Sequence, residues 1–472
     1  VEKKSLKVIL EMTKTVGIVL LIPVFTGLLP QSIDPLAQVT QQITHEIMTR
    51  GDAYSNLKEL IEIGPRVSGS EKAEAAVKWA QKKMHSYGFD RVWLQPVQVP
   101  RWSRGIVERA TLLSSSSSTP LSVAALGNSV GTEAEGVTAQ VVEVKSLKEV
   151  QRLGSSLKGK IVFYNRPMDS SLVDTFEAYS GAVDQRTSGP SVAASVGAVA
   201  VLIRSLTTLP DDDYPHTGVL SYKAGIPKIP AAALSTHSAN RLSQAIQENP
   251  SLKLKLELSA QRLAPVTSYN VIAEMTGSVY PTEYVVVGGH LDSWDLGVGA
   301  HDNGTGVVQT LETLRSFKSL GLRPKRTVRA VLFMSEEFGG VGGEEYARQA
   351  QIKKEKHIAA LESDRGGFSP VGFSSSAPES VMERVRSWSK YLAPIHADRM
   401  IPGESGVDVE PLNKLGTVTF GFVPESFHYF DYHHSARDQF EAVFQKELLE
   451  GATAMAIFTY LLADQGVVSV SF

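Results

Sequence analysis

There is no cysteine among the 472 residues. This absence excludes disulfides, thiolate zinc sites, iron-sulfur clusters and a cysteine nucleophile, so any metal held by the chain takes nitrogen and oxygen ligands. An excess of charge of one sign is also lacking. With 47 basic against 50 acidic side chains and no block of Lys or Arg, nothing favours nucleic acid or an anionic membrane surface as a partner. Long apolar runs are missing near the N-terminus: Val16 to Leu29 is interrupted by Pro23 and Gly27 and falls short of the roughly 20 residues that span a bilayer.

Lys3, Lys4, Lys7 and Lys14 accompany that stretch, giving the basic segment and apolar core of a secretory signal peptide. Residues 1–33 are therefore expected to direct export, to the periplasm or outside the cell, and to leave no stable membrane anchor after cleavage. A buried core helix is the alternative. Without cysteine, a lipoprotein anchor is excluded.

The chain is longer than one ordinary domain, and its texture changes twice. Residues 34–98 read as helical, with apolar residues at three-to-four spacing in "PLAQVTQQITHEIMTR" and "SEKAEAAVKWAQKKMHSYGF". Ser70 is the expected N-cap and Gly88 the terminator of the second helix. From Arg101, short β-like runs alternate with Ser, Gly and Pro, including the serines from Ser114 to Ser118, and "SVAASVGAVAVLIRS" reads as a helix entering a buried strand. Beyond Ser268, strands ("YNVIAEM", "EYVVVGG", "TVRAVLFMS", "HIAALES", "TVTFGFV") alternate with helices, which predicts an α/β fold with a mostly parallel sheet covered on both sides.

Ligands bind such sheets beyond the carboxyl ends of the strands. There the chain sets His290, Asp292 and Asp302 after "YVVVGG", Glu336 and Glu337 after "AVLFMS", Asp364 after "IAALES", and His433 and His434 after "FGFVPES". One such residue is ordinarily a cap. Four strand ends delivering His and carboxylates to one edge require a cation, because the carboxylates would otherwise repel at low dielectric. A His, Asp, Glu, Asp, His set suits a pair of zinc ions sharing a carboxylate, whereas calcium or magnesium would use fewer imidazoles. The adjacent carboxylates Glu336 and Glu337 point different ways, so one can hold metal while the other faces substrate as a proton carrier. His301, Asp295 and Asn303 are not needed as ligands; His301 reads as a rim residue and His216 as a surface histidine in a turn.

"GGHLDSWDLGVGAHDNGTG", "LFMSEEFGGVGG", "ESDRGGF" and "YHHSARD" resemble the successive signatures of the M28 family of di-zinc aminopeptidases, most of all its carboxypeptidase Q subgroup and the bacterial members of that subgroup. The similarity runs from about Ala53 to the C-terminus and takes in "IGPRVSGS", "LQPVQVPRWSRG", "PHTG" and "GIPKIPAA". It implies a three-layer zinc-aminopeptidase fold built from 34–104 and 266–472, with 105–265 as a β-rich, protease-associated-like insert. It also implies His290 and Asp364 on one zinc, Glu337 and His434 on the other, Asp302 bridging, Glu336 as general base and Asp292 orienting His290. His434 rather than His433 fits the family's His-Ser/Thr-x-x-Asp pattern. His433 stands where many members carry a tyrosine that stabilises the oxyanion, and is either that donor or a packing residue. The implied activity is hydrolysis of dipeptides or short peptides bearing a free N-terminus, by a homodimer. Two alternatives share the fold: a receptor or scaffold without metals, opposed by the intact ligands and Glu336, and a one-zinc transferase of the glutaminyl cyclase type, which uses fewer ligands.

Overall fold

The computed structural model describes residues 34–113 and 118–467; the expected signal peptide at 1–33 and most of the serine run lie outside them. Two mixed sheets of eight strands organise the described chain. The first runs, in spatial order, Arg91–Ser103, Gln261–Met275, Arg326–Phe333, Tyr280–His290, Lys356–Glu362, Val418–Pro424, Pro370–Ser375 and Arg399–Pro402. Its four middle strands, from Arg326–Phe333 to Val418–Pro424, are parallel. Antiparallel partners flank them on either side.

The period-2 geometry of a strand explains why the middle strands read as unbroken apolar runs. Val285 and Val287, Val328 and Ala330, and Ala359 and Leu361 all face a layer of helices that includes Thr305–Ser319 and Gln445–Gln465. Their neighbours Val286, Val331 and Ala360 face the opposite layer, where Tyr346 and Ala350 of the helix Val341–Lys353 cover them. Each valine or leucine among them contributes about 1.5–3 kcal/mol when fully buried. No helix among the described residues is long and apolar enough to cross a membrane; Gln445–Gln465 is buried over most of its length inside the protein.

Local chemistry sets the helix ends. Ser70 Oγ accepts from Ala73 N at 3.1 Å to open Glu71–Ser86, and Gly88, at φ +68°, supplies the left-handed residue that closes it. The helical expectation fails after that point: residues 91–98 belong to the strand Arg91–Ser103. This strand lies at the sheet edge with alternating burial, a position that tolerates Pro96 and Pro100 because the outer N–H need not bond. The strands Pro370–Ser375 and Arg399–Pro402 were not expected at all.

The second sheet runs Ser118–Leu121, Glu108–Leu113, Lys253–Leu258, Val137–Val144, Ile161–Tyr164, Ala200–Arg204, Ala231–Leu234 and Val123–Ala125. It meets the first around the segment after His290. Asp295, expected to be a bystander, receives Arg104 at 2.6 and 2.9 Å, and Trp294 lies flush on Gly127, where a Cβ would come within 1.8 Å of the indole. Short helices at Thr175–Ser180 and Asp184–Thr187 bring Phe176 and Tyr179 against Phe430, at ring separations of 5.0 and 4.8 Å.

Candidate metal centre

The strand Tyr280–His290 ends against the first turn of the helix Thr305–Ser319. Glycine is needed for this approach, since a Cβ at Gly289 would lie 3.0 Å from both Gly306 C and Ser363 O. The intervening loop is fixed by two buried charges. The Arg66 guanidinium donates to the carbonyls of Leu291, Val298 and Gly299 at 2.8, 2.6 and 2.9 Å. The Asp438 carboxylate accepts from His301 N and Asp302 N at 2.7 and 3.1 Å. Asn303 completes the frame, donating to Ser363 O at 2.7 Å and accepting from Gly306 N at 3.0 Å.

Into this frame project two imidazoles. His290 Nδ1 lies 3.0 Å from the Asp292 carbonyl, and His434 Nδ1 lies 3.3 Å from the Thr217 carbonyl. Carbonyls only accept, so both Nδ1 atoms carry hydrogen and both Nε2 atoms are left to face the cleft. Asp302 sits between them: its Oδ1 is 3.2 Å from His290 Nε2 and its Oδ2 is 3.2 Å from His434 Nε2. Asp364 Oδ1 adds a contact of 3.0 Å on the His290 side, and Glu337 Oε2 one of 3.1 Å on the His434 side.

The charges of these groups are matched to a cation. Burial opposes a charge on either imidazole, yet Asp364, Asp292 and Asp302 hold His290 well above the ordinary histidine range. Likewise Glu337 and Asp302 hold His434 up at about 9. Burial lifts Glu337 to about 7; Asp302 is well below the carboxylate range because its two histidine partners outweigh burial. Glu337 Oε1 is buried and without a hydrogen-bond partner. Two nitrogen donors, three carboxylates and an unsatisfied oxygen fit a site for divalent metal.

Glu336 stands apart from these contacts. Its Oε2 is 4.0 Å from His290 Nε2, and its backbone N–H, with that of Ser335, is held by Asp292 Oδ1 at 3.2 and 2.8 Å. Asp292 thus contacts both groups: its backbone carbonyl orients His290, and its carboxylate, 3.7 Å from His290 Nδ1, anchors the turn bearing Glu336. Burial, with Asp364, Glu337 and Asp408 nearby, raises the Glu336 carboxyl well above its usual range. Glu336, Glu337, Asp364, His433 and His434 all line one cavity of about 420 Å³.

The scan of family models matches "Peptidase family M28" over residues 270–459. Carboxypeptidase Q of Bos taurus is 35% identical over 470 residues, which cover 95% of this chain and 97% of that protein. The chain belongs to peptidase family M28. It is a metallopeptidase. A solved peptidase M28 precursor from Shewanella amazonensis SB2B superposes with a TM-score of 0.87 at 35% identity, covering 91% of this M28 chain and 97% of that one. A zinc aminopeptidase from Bacillus subtilis shares the fold, with a TM-score of 0.64 at 22% identity over 88% of this chain and 95% of that one.

Two histidines of the M28 peptidase are placed differently from expectation. His301 is not on the rim: it is buried, stacked 4.3 Å from Phe368 and 5.1 Å from Tyr432. Burial pushes it down to about 4, so it is a neutral strut. His216 is not on the surface either. It is 1% exposed, and its Nδ1 donates to the His433 carbonyl at 2.7 Å. His433 itself stacks on His434 at 3.5 Å, within reach of Tyr179, Tyr429 and Phe430; burial, with His434 beside it, keeps it neutral.

The residues missed by the sequence are those that position the candidate ligands, or the loop that carries them, through backbone atoms: Arg66, Thr217 and Asp438. The only signal was their presence in "IGPRVSGS", "PHTG" and "HSARD". Gly218 makes the importance of Thr217 testable. At φ +118°, its added Cβ would lie 2.4 Å from Arg186 Nη1 and 2.6 Å from His434 Nδ1. Gly218→Ala is expected to cost about 1–3 kcal/mol in a denaturant titration and to weaken metal binding roughly tenfold or more. Unchanged metal affinity would show that the Thr217 carbonyl does not orient His434.

Proposed function

We propose that this enzyme is a zinc-dependent exopeptidase that releases the N-terminal residue of dipeptides or very short peptides. The observation that carries the reading is Asp302, whose two oxygens each face a different histidine Nε2 at 3.2 Å. His290 and Asp364 would hold one zinc ion and Glu337 and His434 a second, with Asp302 available to both. When bound, the ions polarise the scissile carbonyl and make water a better nucleophile. Glu336 accepts the proton of the attacking water and returns it to the leaving amine. Its place in the cavity, outside the histidine contacts, supports that role. His433, neutral and facing the cavity, is positioned to donate to the developing oxyanion.

The free N-terminus is the end recognised, because Glu362, Glu404 and Glu410, which line the cavity outside the proposed zinc holders, suit an ammonium group. In this proposal 105–265 is the protease-associated-like insert, completing the cavity with Phe176 and Tyr179. A dipeptide should be cleaved by the zinc-loaded protein, lost on chelation and regained with zinc, while its N-acetyl form resists. Equal rates on the free and acetylated substrates would sink the aminopeptidase reading. Metal analysis should give about two zinc ions per chain; one would favour cyclase-type chemistry and none a scaffold.

A further inference from the structure

The same cavity contains an arginine that hydrolysis does not use. Arg186, on the short helix Asp184–Thr187, is 5% exposed, and among the described residues no carboxylate forms an ion pair with it. Its Nη1 donates to the Thr217 carbonyl at 3.2 Å, its guanidinium carbon lies 5.5 Å from the Tyr179 ring, and its Nε has no hydrogen-bond partner. A guanidinium withdrawn from water in this way is costly unless an anion meets it. No second interaction among the described residues supplies that anion.

We propose that Arg186 is the anchor for the free C-terminal carboxylate of a dipeptide substrate. The proposal rests on the exopeptidase reading above and gives that reading its length limit. The Thr217 carbonyl accepts from both Arg186 Nη1 and His434 Nδ1, so the guanidinium is a near neighbour of a proposed zinc ligand. One extended residue spans at most about 3.3–3.6 Å, so the carboxylate of a dipeptide follows one residue behind the bond being cut, within the cavity that Arg186 also lines. A planar guanidinium matches a carboxylate with two parallel N–H donors, and the unpartnered Nε is one of those donors. A longer peptide would present an amide there, with an N–H where the arginine requires an acceptor.

The test compares kcat/KM of the zinc-loaded protein on a dipeptide and on the same dipeptide as its C-terminal amide. Wild type should favour the acid roughly ten- to hundredfold, the strength of a hydrogen bond to a charged group. Arg186→Gln should erase that preference by slowing the acid alone, and Arg186→Lys should recover part of it. Arg186 also touches the carbonyl that orients His434, so a purely structural role would slow acid and amide by the same factor. That result, or equal wild-type rates on the two substrates, would overturn the carboxylate anchor while leaving the exopeptidase reading in place. Failure of wild type to cleave any free-amine dipeptide would instead overturn both. Equal wild-type rates would overturn the anchor even if a variant does not fold.

Discussion

Glu336→Gln is expected to bind as much zinc as wild type and to lose turnover by about two to four orders of magnitude, the contribution of a positioned acid-base group. The reason is geometric. Asp302, Asp364 and Glu337 each come within 3.2 Å of a histidine Nε2, whereas Glu336 stops at 4.0 Å. Glutamine keeps the size of the side chain and the backbone bond to Asp292 but cannot take a proton. Glu337→Gln provides the contrast: it should lower zinc content, since Glu337 is the carboxylate beside His434. Zinc content by elemental analysis and kcat by dipeptide hydrolysis separate the two. A Glu336→Gln enzyme within tenfold of wild type would remove Glu336 from the mechanism.

Arg66→Met is expected to destabilise the protein by about 4 kcal/mol in a guanidinium titration, through loss of three charge-assisted bonds and exposure of three buried carbonyls to no partner. Arg66 is wholly buried. Burial draws its guanidinium down to about 10, with Asp438, Asp292, Asp302 and Glu337 opposing the fall, so it remains charged at neutral pH. Lysine should not rescue it, because one ammonium cannot reach carbonyls arranged around a planar fork. Zinc affinity should fall in parallel, since the pinned loop leads directly into Asp302. A change below 1 kcal/mol would mean that the loop holds its shape unaided.

The site was legible in the sequence to the extent that it follows strand ends. His290, Glu336, Glu337 and Asp364 come directly after valine-rich or alanine-rich strands whose period announces them, and the carboxyl ends of parallel strands lie at one edge by topology. Ser70 and Gly88 were legible for a similar reason, as each acts on its own neighbours. Arg66 and Thr217 were not, because they act on partners 225 and 217 residues away through carbonyl oxygens that every residue possesses. His216 and His301 misled because burial of a polar ring is decided by what packs on it, and Phe368 lies far along the chain from His301. The edge strand Arg91–Ser103 was hidden by its two prolines, which interrupt its alternation, and by its lack of the unbroken apolar run that marks the inner strands.

The Thr217 carbonyl ties together events at two sheets. Displacement of the second sheet against the first would slacken the hold of Thr217 on His434, while His290, Asp302 and Asp364, all carried by the first sheet, kept their places. The centre is therefore unequally robust. His290 is oriented from within the loop of its own sheet, through the Asp292 carbonyl, whereas the orientation of His434 depends on the register between the two sheets.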